Sequence, residues 1–226
     1  MNIKKLNQDL ISFWNQQFEK VEVKPIAMDD ILISDELDEM LEMIGNHCPN
    51  VIDLGCGCSL LMLKAAVFGN QVEKGLGIDP SHHAICFSNE SIKQVGFNYL
   101  NYICGDHLYL KQIDDQSIDG VICSNVLDVL PYETSKFIIH EFRRIIKTNG
   151  YLLVKINFFL TDELIQRIGM EKISQNTYSI NGILRGYNLS TDDWIQRFDG
   201  FEVEKIGSYQ RLKDGPKDRL LLLRRV

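Results

Sequence analysis

Acids and glycines that could bind a nucleotide-like molecule occur at short intervals in the first half of the chain. Residues 51–59 read Val-Ile-Asp-Leu-Gly-Cys-Gly-Cys-Ser, so Asp53 is followed by Gly55, Cys56 and Gly57. A strand that ends in such a turn and opens a helix directs backbone N–H groups at a ligand and lets it approach the main chain closely. This segment predicts a site for a nucleotide-like cofactor.

Two further acids follow at the ends of the next predicted strands. The segment 75–79, Gly-Leu-Gly-Ile-Asp, ends in Asp79, where a carboxylate can accept both hydroxyls of a ribose. The segment 104–107 places Asp106 within reach of an exocyclic amine on a purine. Residues 118–131 run from a strand pattern into a polar loop. Because open α/β sheets bind ligands at the carboxyl ends of their strands, we expect these segments to converge on one site.

Strand and helix patterns alternate through the segments that must position these residues. Strands are predicted at 50–54, 74–79, 100–104, 118–124 and 150–156, and helices at 59–68, 82–95, 108–112 and 133–147. This alternation is typical of a parallel sheet wrapped by helices on both faces. Asn181-Gly182 predicts a hairpin turn within 176–188, before a helix near 190–199. Strands at 201–207 and 218–224 are joined by a link too short for a crossover helix, which predicts an antiparallel pair.

The fold class predicted from these patterns is α/β, as one domain over residues 1–226. We expect a Rossmann-like, doubly wound, mostly parallel seven-stranded sheet with a C-terminal antiparallel hairpin. An apolar stripe predicts a helix over 5–19, Ser34 is predicted to cap a second helix, and residues 1–46 would cover the site. Residues 157–189 are predicted to form a small lid insertion with a β-hairpin over the carboxyl edge of the sheet.

Composition narrows the class of protein. The 226 residues have a formal net charge of −7 and a pI of about 5.3, which argues against a surface that coats nucleic acid. No apolar stretch approaches the roughly 20 residues that a membrane span requires, and the first residues lack an apolar signal core, so a cytoplasmic protein is predicted. The six cysteines form no C-x-x-C pair, so no metal site is predicted. Cys104 and Cys123 lie in apolar strand-like runs and are expected to be buried, reduced thiols.

Taken in order, these segments resemble the class I S-adenosylmethionine-dependent methyltransferases, and specifically the small-molecule group with the "type 11" domain. The likeness covers residues 48–156 well and 190–208 loosely, and residues 142–154 resemble the family's entry into its fifth strand. The resemblance implies S-adenosyl-L-methionine as the methyl donor and S-adenosyl-L-homocysteine as the product.

The resemblance also implies roles for individual residues. The implied cofactor-binding set is Asp53, Gly55, Cys56, Gly57, Asp79, Pro80, Asp106, His107, Cys123, Ser124 and Asn125. In this set the glycine turn contacts the methionine part, Asp79 holds the ribose, and Asp106 holds the adenine amine with His107 or Leu108 packed on the ring. Residues 123–125 would lie near the methionine ammonium and the transferable methyl. Purely structural roles remain as alternatives: Asp79 could cap the following helix, and Asp106 could be a turn residue.

The acceptor side of the site is less well defined by the sequence. Many relatives place a histidine after strand four, where this chain has Val129, so no catalytic residue is assigned. Candidate acceptor contacts are Trp14, Asp128, Tyr178, Arg185 and Tyr187. Trp14 could instead be a packing residue, and the hairpin aromatics more often pack than bind.

The predicted function is methyl transfer to a small-molecule acceptor by in-line displacement from a sulfonium. A dinucleotide enzyme is disfavoured because the G-x-G-x-x-G pattern fails at Leu60. The loop at 124–127 differs from that of DNA amino-methylating enzymes, and Cys123 does not follow a proline as a pyrimidine-attacking cysteine often does. The alternatives are a non-catalytic sensor or partner protein that binds the cofactor, and a methyltransferase acting on RNA or protein.

Overall fold

The computed structural model describes residues 3–22, 26, 28, 31–58 and 60–226. The helices are α1 Ile3–Phe18, α2 Glu36–His47, α3 Leu61–Phe68, α4 His82–Val95, α5 Tyr132–Ile145, α6 Asp162–Ile168 and α7 Thr191–Ile195, with a 3₁₀ helix at His107–Gln112. The strands are β1 Asn50–Leu54, β2 Lys74–Asp79, β3 Leu100–Cys104, β4 Ile118–Ser124, β5 Ile146–Ile156, β6 Glu171–Ser174, β7 Thr177–Ile180, β8 Ile183–Tyr187, β9 Phe201–Tyr209 and β10 Asp218–Arg225.

The main sheet has seven strands in the order β3-β2-β1-β4-β5-β10-β9. The first five are parallel, whereas β10 runs antiparallel to both of its neighbours. This confirms the predicted α/β fold, a Rossmann-like sheet that ends in an antiparallel hairpin. Since β1 to β5 are parallel, the loops that follow them all leave from one edge of the sheet.

Helices cover both faces of this sheet and bury two apolar layers. On one face, Ile138 and Phe142 of α5 pack among strand residues such as Val154. On the other, Met40 and Ile44 of α2 join a second buried layer. Complete burial of one such side chain is worth about 1.5–3 kcal/mol, so the two layers fix the sheet on which the site is built.

Two predictions about local structure were wrong. Ser34 does not cap α2; Asp35 does, because its carboxylate accepts the N–H of Asp38. The Ser34 hydroxyl instead donates to Asp38 Oδ2 at 2.7 Å. Cys104 is exposed because it is the last residue of β3, at the edge of the sheet, whereas Cys123 of central β4 is buried as expected.

The boundary between α5 and β5 also differs from the prediction. Helix α5 ends at Ile145, and β5 begins at once at Ile146 rather than at residue 150. Asn149, with φ of 67°, lies inside the strand where the ladder to β4 shifts register. The turn-forming residues therefore make a bulge within an extended strand instead of separating a helix from a strand.

The segment 157–189 contains α6 and a small antiparallel sheet in the order β6-β7-β8. The predicted hairpin is present: Asn181 and Gly182 both have positive φ, 51° and 76°, as a two-residue turn of this type requires. Helix α6 and strand β6 were not predicted. Among the described helices, none has both the length and the apolar character needed to cross a membrane.

Candidate active site

A cavity of about 890 Å³ opens at the carboxyl edge of the main sheet. The ends of the strands and the turns that follow them form what we call the cavity floor. One face of α1 forms the cavity roof, which consists of Asn7, Gln8, Leu10, Ile11, Trp14 and Phe18. Helix α5 closes the side between floor and roof with residues that include Glu133, Thr134 and Phe137.

The turn after β1 needs both of its glycines. Gly55 and Gly57 have φ of 70° and 51°, a left-handed region that disfavours side chains. A Cβ on Gly55 would overlap Val126 Cγ2, and one on Gly57 would lie 3.0 Å from Phe18 Cζ. The floor here is bare main chain, with roof and β4-loop side chains packed directly against it.

Asp79, at the end of β2, fixes this glycine turn. Its Oδ2 accepts the N–H of Gly57 at 2.9 Å, and its Oδ1 accepts the N–H of Ser81 at 2.8 Å. Burial raises the pKa of Asp79, and these two hydrogen bonds oppose that shift. The cap of α4 is Ser81, whose hydroxyl accepts the N–H of Ala84, so Asp79 is not the helix cap. Each carboxylate oxygen retains acceptor capacity toward the cavity that Asp79 lines.

Asp53 lies beneath the floor and does not line the cavity. Its side chain is fully buried on β1, and neither carboxylate oxygen has a hydrogen-bond partner. Burial raises the pKa of Asp53 to about 8, and the negative charge of nearby Asp79 adds to this shift. The hydroxyl of Tyr102, which interacts electrostatically with Asp53, is also buried without a partner. Unpaired buried polar atoms of this kind mark a place that a ligand or ordered water completes.

The turn after β3 brings Asp106 and His107 to the far end of the cavity. Asp106 caps the 3₁₀ helix, since its Oδ1 accepts the N–H of Leu108 at 2.8 Å. The turn role left open by the sequence is thus real, and Asp106 still faces the cavity. The ring of His107 lies 5.7 Å from that of Phe137. Burial lowers the pKa of His107, which favours a neutral ring.

The residues at the end of β4 divide between cavity and core. Ser124 and Asn125 line the cavity, whereas Cys123 is fully buried in the apolar layer on the α5 face. Cys123 and Ser124 differ in this way because successive side chains of a strand point to opposite faces of the sheet. Asn125 has φ of 55°, and its Nδ2 is buried without a partner. Its backbone N–H donates to the carbonyl oxygen of Lys155 at 2.8 Å.

Of the candidate acceptor contacts, only Trp14 lines the cavity. Asp128 accepts hydrogen bonds from the N–H and Nδ2 of Asn157, and so ties the β4 loop to the end of β5. Tyr178 lies within β7, paired with Gly186 of β8. These positions place Asp128 and Tyr178 in the framework around the cavity.

The other two candidates support the roof and the core. The guanidinium of Arg185 lies 4.5 Å from the ring centroid of Phe13 and 5.6 Å from that of Trp14. Tyr187 packs against Trp194 and against the main apolar layer. No residue of 157–189 lines the cavity. The insertion contacts the surrounding framework through α1, where Arg185 packs on Phe13, and through the loop after β4, where the Tyr187 N–H donates to the carbonyl oxygen of Asp128.

Sequence reasoning missed two strand residues that line the cavity on the side of β5 and β9. Lys155, near the end of β5, and Tyr209, the last residue of β9, both face it. A signal for Lys155 was available, since it is a lone charge in the apolar strand segment 151–156. None was available for Tyr209, because the strand pattern was expected to end at residue 207.

These residues fit an adenosyl sulfonium. The bare glycine turn admits a ligand against the main chain, and the unpartnered atoms of Asp53 and Asn125 lie below and beside that turn. Asp79 and Asp106 provide separate carboxylates along the floor. Among the described residues there is no cluster of three or more His, Cys, Asp or Glu side chains that could hold a metal ion.

Solved structures share this architecture. A 1,6-didemethyltoxoflavin-N1-methyltransferase from Burkholderia thailandensis, solved with 1,6-didemethyltoxoflavin and S-adenosylhomocysteine, matches with TM-score 0.70 and 11% identity, over 100% of this chain and 91% of its own. The PH0226 protein from Pyrococcus horikoshii OT3 matches with TM-score 0.65 and 18% identity, over 93% and 99%. The N-methyltransferase NodS from Bradyrhizobium japonicum WM9 matches with TM-score 0.59 and 13% identity, over 83% and 92%. At these identities the likeness concerns the fold.

A match of the sequence to a family shows which family the chain belongs to. Residues 47–202, which span the sheet from β1 through β8 together with α7, match the family described as "Methyltransferase domain". The match covers the glycine turn, Asp79, Asp106 and the loop after β4, and it includes the segment 48–156 that resembles the family well and most of the segment 190–208 that resembles it loosely. The chain therefore belongs to the class I S-adenosylmethionine-dependent methyltransferases.

Proposed function

We propose that the protein transfers a methyl group from S-adenosylmethionine to a small-molecule acceptor that binds in the same cavity. The observation that supports this most is the extent of the cavity. It runs without a break from Asp106 past the glycine turn to Lys155 and Tyr209. Small-molecule sites typically occupy 300–1,000 Å³, so about 890 Å³ suits a cofactor and a small acceptor together.

In this proposal the order of strands along the floor sets the position of the cofactor. Asp79 on β2 holds the ribose hydroxyls, and Asp106 after β3 holds the adenine amine beside His107. The glycine turn after β1 contacts the methionine part, while Ser124 and Asn125 at the end of β4 lie near the methyl group. The acceptor then occupies the space toward β5, under the cavity roof.

When bound, S-adenosylmethionine supplies a methyl group on sulfonium, so that the bond from acceptor to carbon forms while the carbon–sulfur bond breaks and a neutral thioether leaves. The protein's part is to align the two molecules and to exclude water. The apolar roof residues Leu10, Ile11 and Trp14 serve the second purpose. A base is needed only for an acceptor that is protonated at the pH of the reaction, and no residue is assigned to that role.

An Asp79→Ala variant tests the cofactor site. Loss of the charge-assisted bonds to the ribose and of the anchor on Gly57 should weaken binding of S-adenosylhomocysteine at least tenfold, about 1.4 kcal/mol or more. Calorimetry of the wild type and the variant measures this. Asp162→Ala, which removes an exposed carboxylate from α6, is the matched control and should bind as the wild type does. An unchanged dissociation constant for Asp79→Ala would refute the ribose role.

Transfer of labelled methyl tests the reaction itself. The protein is incubated with methyl-labelled S-adenosylmethionine and a cell extract, which is then separated into small molecules, RNA and protein. We expect label in the small molecules, because the roof encloses the cavity and the formal net charge is −7. Label in RNA or protein would replace the proposed acceptor class. Cofactor binding with no labelled product would favour a non-catalytic sensor.

A further inference from the structure

An amino group faces the acceptor end of the cavity. Lys155 is the second-last residue of β5, only 9% exposed, and it lines the cavity beside Tyr209. Three strand spacings separate β5 from β2, which places Lys155 about 14 Å along the floor from Asp79. The residue thus lies outside the part of the floor proposed for the adenosyl group.

The contacts of this amino group leave it available to a ligand. Its Nζ lies 3.6 Å from Asp218 Oδ2, longer than the usual 2.7–3.2 Å of a hydrogen bond. It also lies 4.6 Å from the ring centroid of Tyr209. Asp218 is held mainly through its other oxygen, which accepts from Arg211 Nη2 at 2.7 Å and from the Phe158 N–H at 3.2 Å. The facing oxygen, Asp218 Oδ2, has no hydrogen-bond partner and balances part of the ammonium charge, but an ammonium has three donors, so donors remain for a ligand.

The charges around Lys155 favour an anion. Asp128 and Asp218 attract its charge and Arg211 repels it, while Arg219 interacts with both carboxylates. These charges leave an excess of one cation when all of them are ionised. Burial lowers the pKa of Lys155, and an anion bound beside it would oppose that shift.

The rest of the lining is consistent with this assignment. Among the cavity-lining residues within the described part of the chain, Lys155 is the one Lys or Arg. The acids Asp79 and Asp106 lie toward the other end, and Glu133 is an exposed residue of α5. Aromatic rings of the roof and of α5 also face the cavity, so a flat acceptor would find both a charge and apolar walls.

On the basis of the proposed function, we infer that Lys155 determines acceptor specificity and that the acceptor is a small planar molecule with an ionised hydroxyl, a phenolate or an enolate. A hydrogen bond between an ammonium and an oxyanion is about twice as strong as one between neutral groups. An acceptor bound as the anion has no proton to lose, which explains how transfer could proceed with Val129 where many relatives have a histidine.

The inference is tested with 4-nitrophenol, whose neutral and ionised forms differ in colour. The probe is titrated into protein saturated with S-adenosylhomocysteine, and its absorbance reports the ionisation of the bound molecule. We expect the wild type to bind the phenolate and to lower the probe's pKa. Lys155→Met should abolish that shift and weaken binding about tenfold or more, whereas Lys155→Arg should keep the shift. Lys147→Met removes a lysine from the other end of β5 and should behave as the wild type does.

Thermal unfolding and S-adenosylhomocysteine affinity are measured for each variant, so that a folding defect is distinguished from a binding defect. Should Lys155→Met fail to fold, Lys155→Gln takes its place. Binding of neutral 4-nitrophenol by the wild type, no binding at all, or an unchanged phenolate preference in the variant would overturn the inference. If S-adenosylhomocysteine binds normally in those cases, the proposed function survives; if the wild type does not bind it, the proposed function fails.

Discussion

The floor and the roof of the cavity are held in place by different kinds of interaction. In the floor, main-chain groups set the geometry: the N–H of Gly55 donates to the carbonyl oxygen of Ile78 at 2.7 Å, and the N–H of Gly57 donates to Asp79. The floor is continuous with the hydrogen-bonded ladders of the sheet. It is therefore in place before any ligand binds.

The roof, by contrast, is attached through side chains. Asn7 Nδ2 donates to Thr134 Oγ1 at 3.3 Å, and Asn15 Oδ1 accepts from the Ser81 hydroxyl at 2.8 Å. Arg185 packs over aromatic rings of α1. Each of these contacts can be removed on its own and is worth about 1 kcal/mol. We therefore expect substitutions in the floor to cost far more than those in the roof.

The largest effect should follow from Gly55→Ala. The change forces a side chain into left-handed backbone and places its Cβ against Val126 Cγ2. Strain of about 1–2 kcal/mol plus overpacking of about 1–3 kcal/mol should destabilise the protein by about 3 kcal/mol, measured by denaturant unfolding. Cofactor binding should weaken as well, because the turn can no longer approach the ligand.

Two further variants separate strain from overlap in that turn. Adding Val126→Ala to Gly55→Ala should recover part of the loss by removing the overlapping methyl. Gly96→Ala is the control, since Gly96 has a φ of 76° but no atom within 4 Å of an added Cβ. It should show the strain alone. Equal losses of stability for Gly55→Ala and Gly96→Ala would mean that Val126 moves aside at little cost. The floor would then be less rigid than its main-chain hydrogen bonds indicate.

The next effect concerns the buried acid beneath the floor. Because the folded pKa of Asp53 is raised to about 8, its carboxyl stabilises the folded state fully below about pH 4, and this contribution falls progressively until the pH has risen through 8. The side chain of an Asp53→Asn variant cannot ionise, so the variant does not lose this stability as the pH rises. Relative to the wild type it should gain about 3 kcal/mol of stability between pH 5 and pH 7, about 1.4 kcal/mol for each pH unit.

Unfolding free energies of both proteins across this pH range provide the measurement. Asp114→Asn, an exposed acid beyond the 3₁₀ helix, is the control and should track the wild type at every pH. A difference between Asp53→Asn and the wild type that does not grow with pH would show that Asp53 is already ionised in the folded protein. The floor would then be more hydrated than its burial indicates.

The difference between floor and roof also explains which parts of the site could be predicted from the sequence. The floor was predictable because strand, glycine turn and acid are neighbours in the chain, so Asp53, Gly57 and Asp79 follow from local rules. Roof and insertion depend on contacts between distant residues. That Arg185 would pack on Phe13 rather than face an acceptor cannot be deduced from either segment alone.

Lys155 and Tyr209 were missed for a related reason. Each lies at the end of a strand, but which strand ends adjoin the cavity depends on the order in which the strands pair. The C-terminal pair was predicted as a hairpin, whereas the position of β10 between β5 and β9 emerged only in the structure. Strand alternation places a side chain on one face of a sheet, and pairing decides what it meets there.

The smallest effect should come from Arg185→Ala, which removes a cation held over Phe13 and Trp14. The loss of about 0.5–1 kcal/mol should leave global stability almost unchanged and should speed hydrogen exchange along α1 two- to fivefold. Affinity for S-adenosylhomocysteine should fall by a similar factor, because a loosened roof shields the ligand less. Arg167→Ala, an exposed arginine of α6, is the matched control. If α1 exchanges no faster in Arg185→Ala than in this control, Arg185 does not help to hold the roof in place.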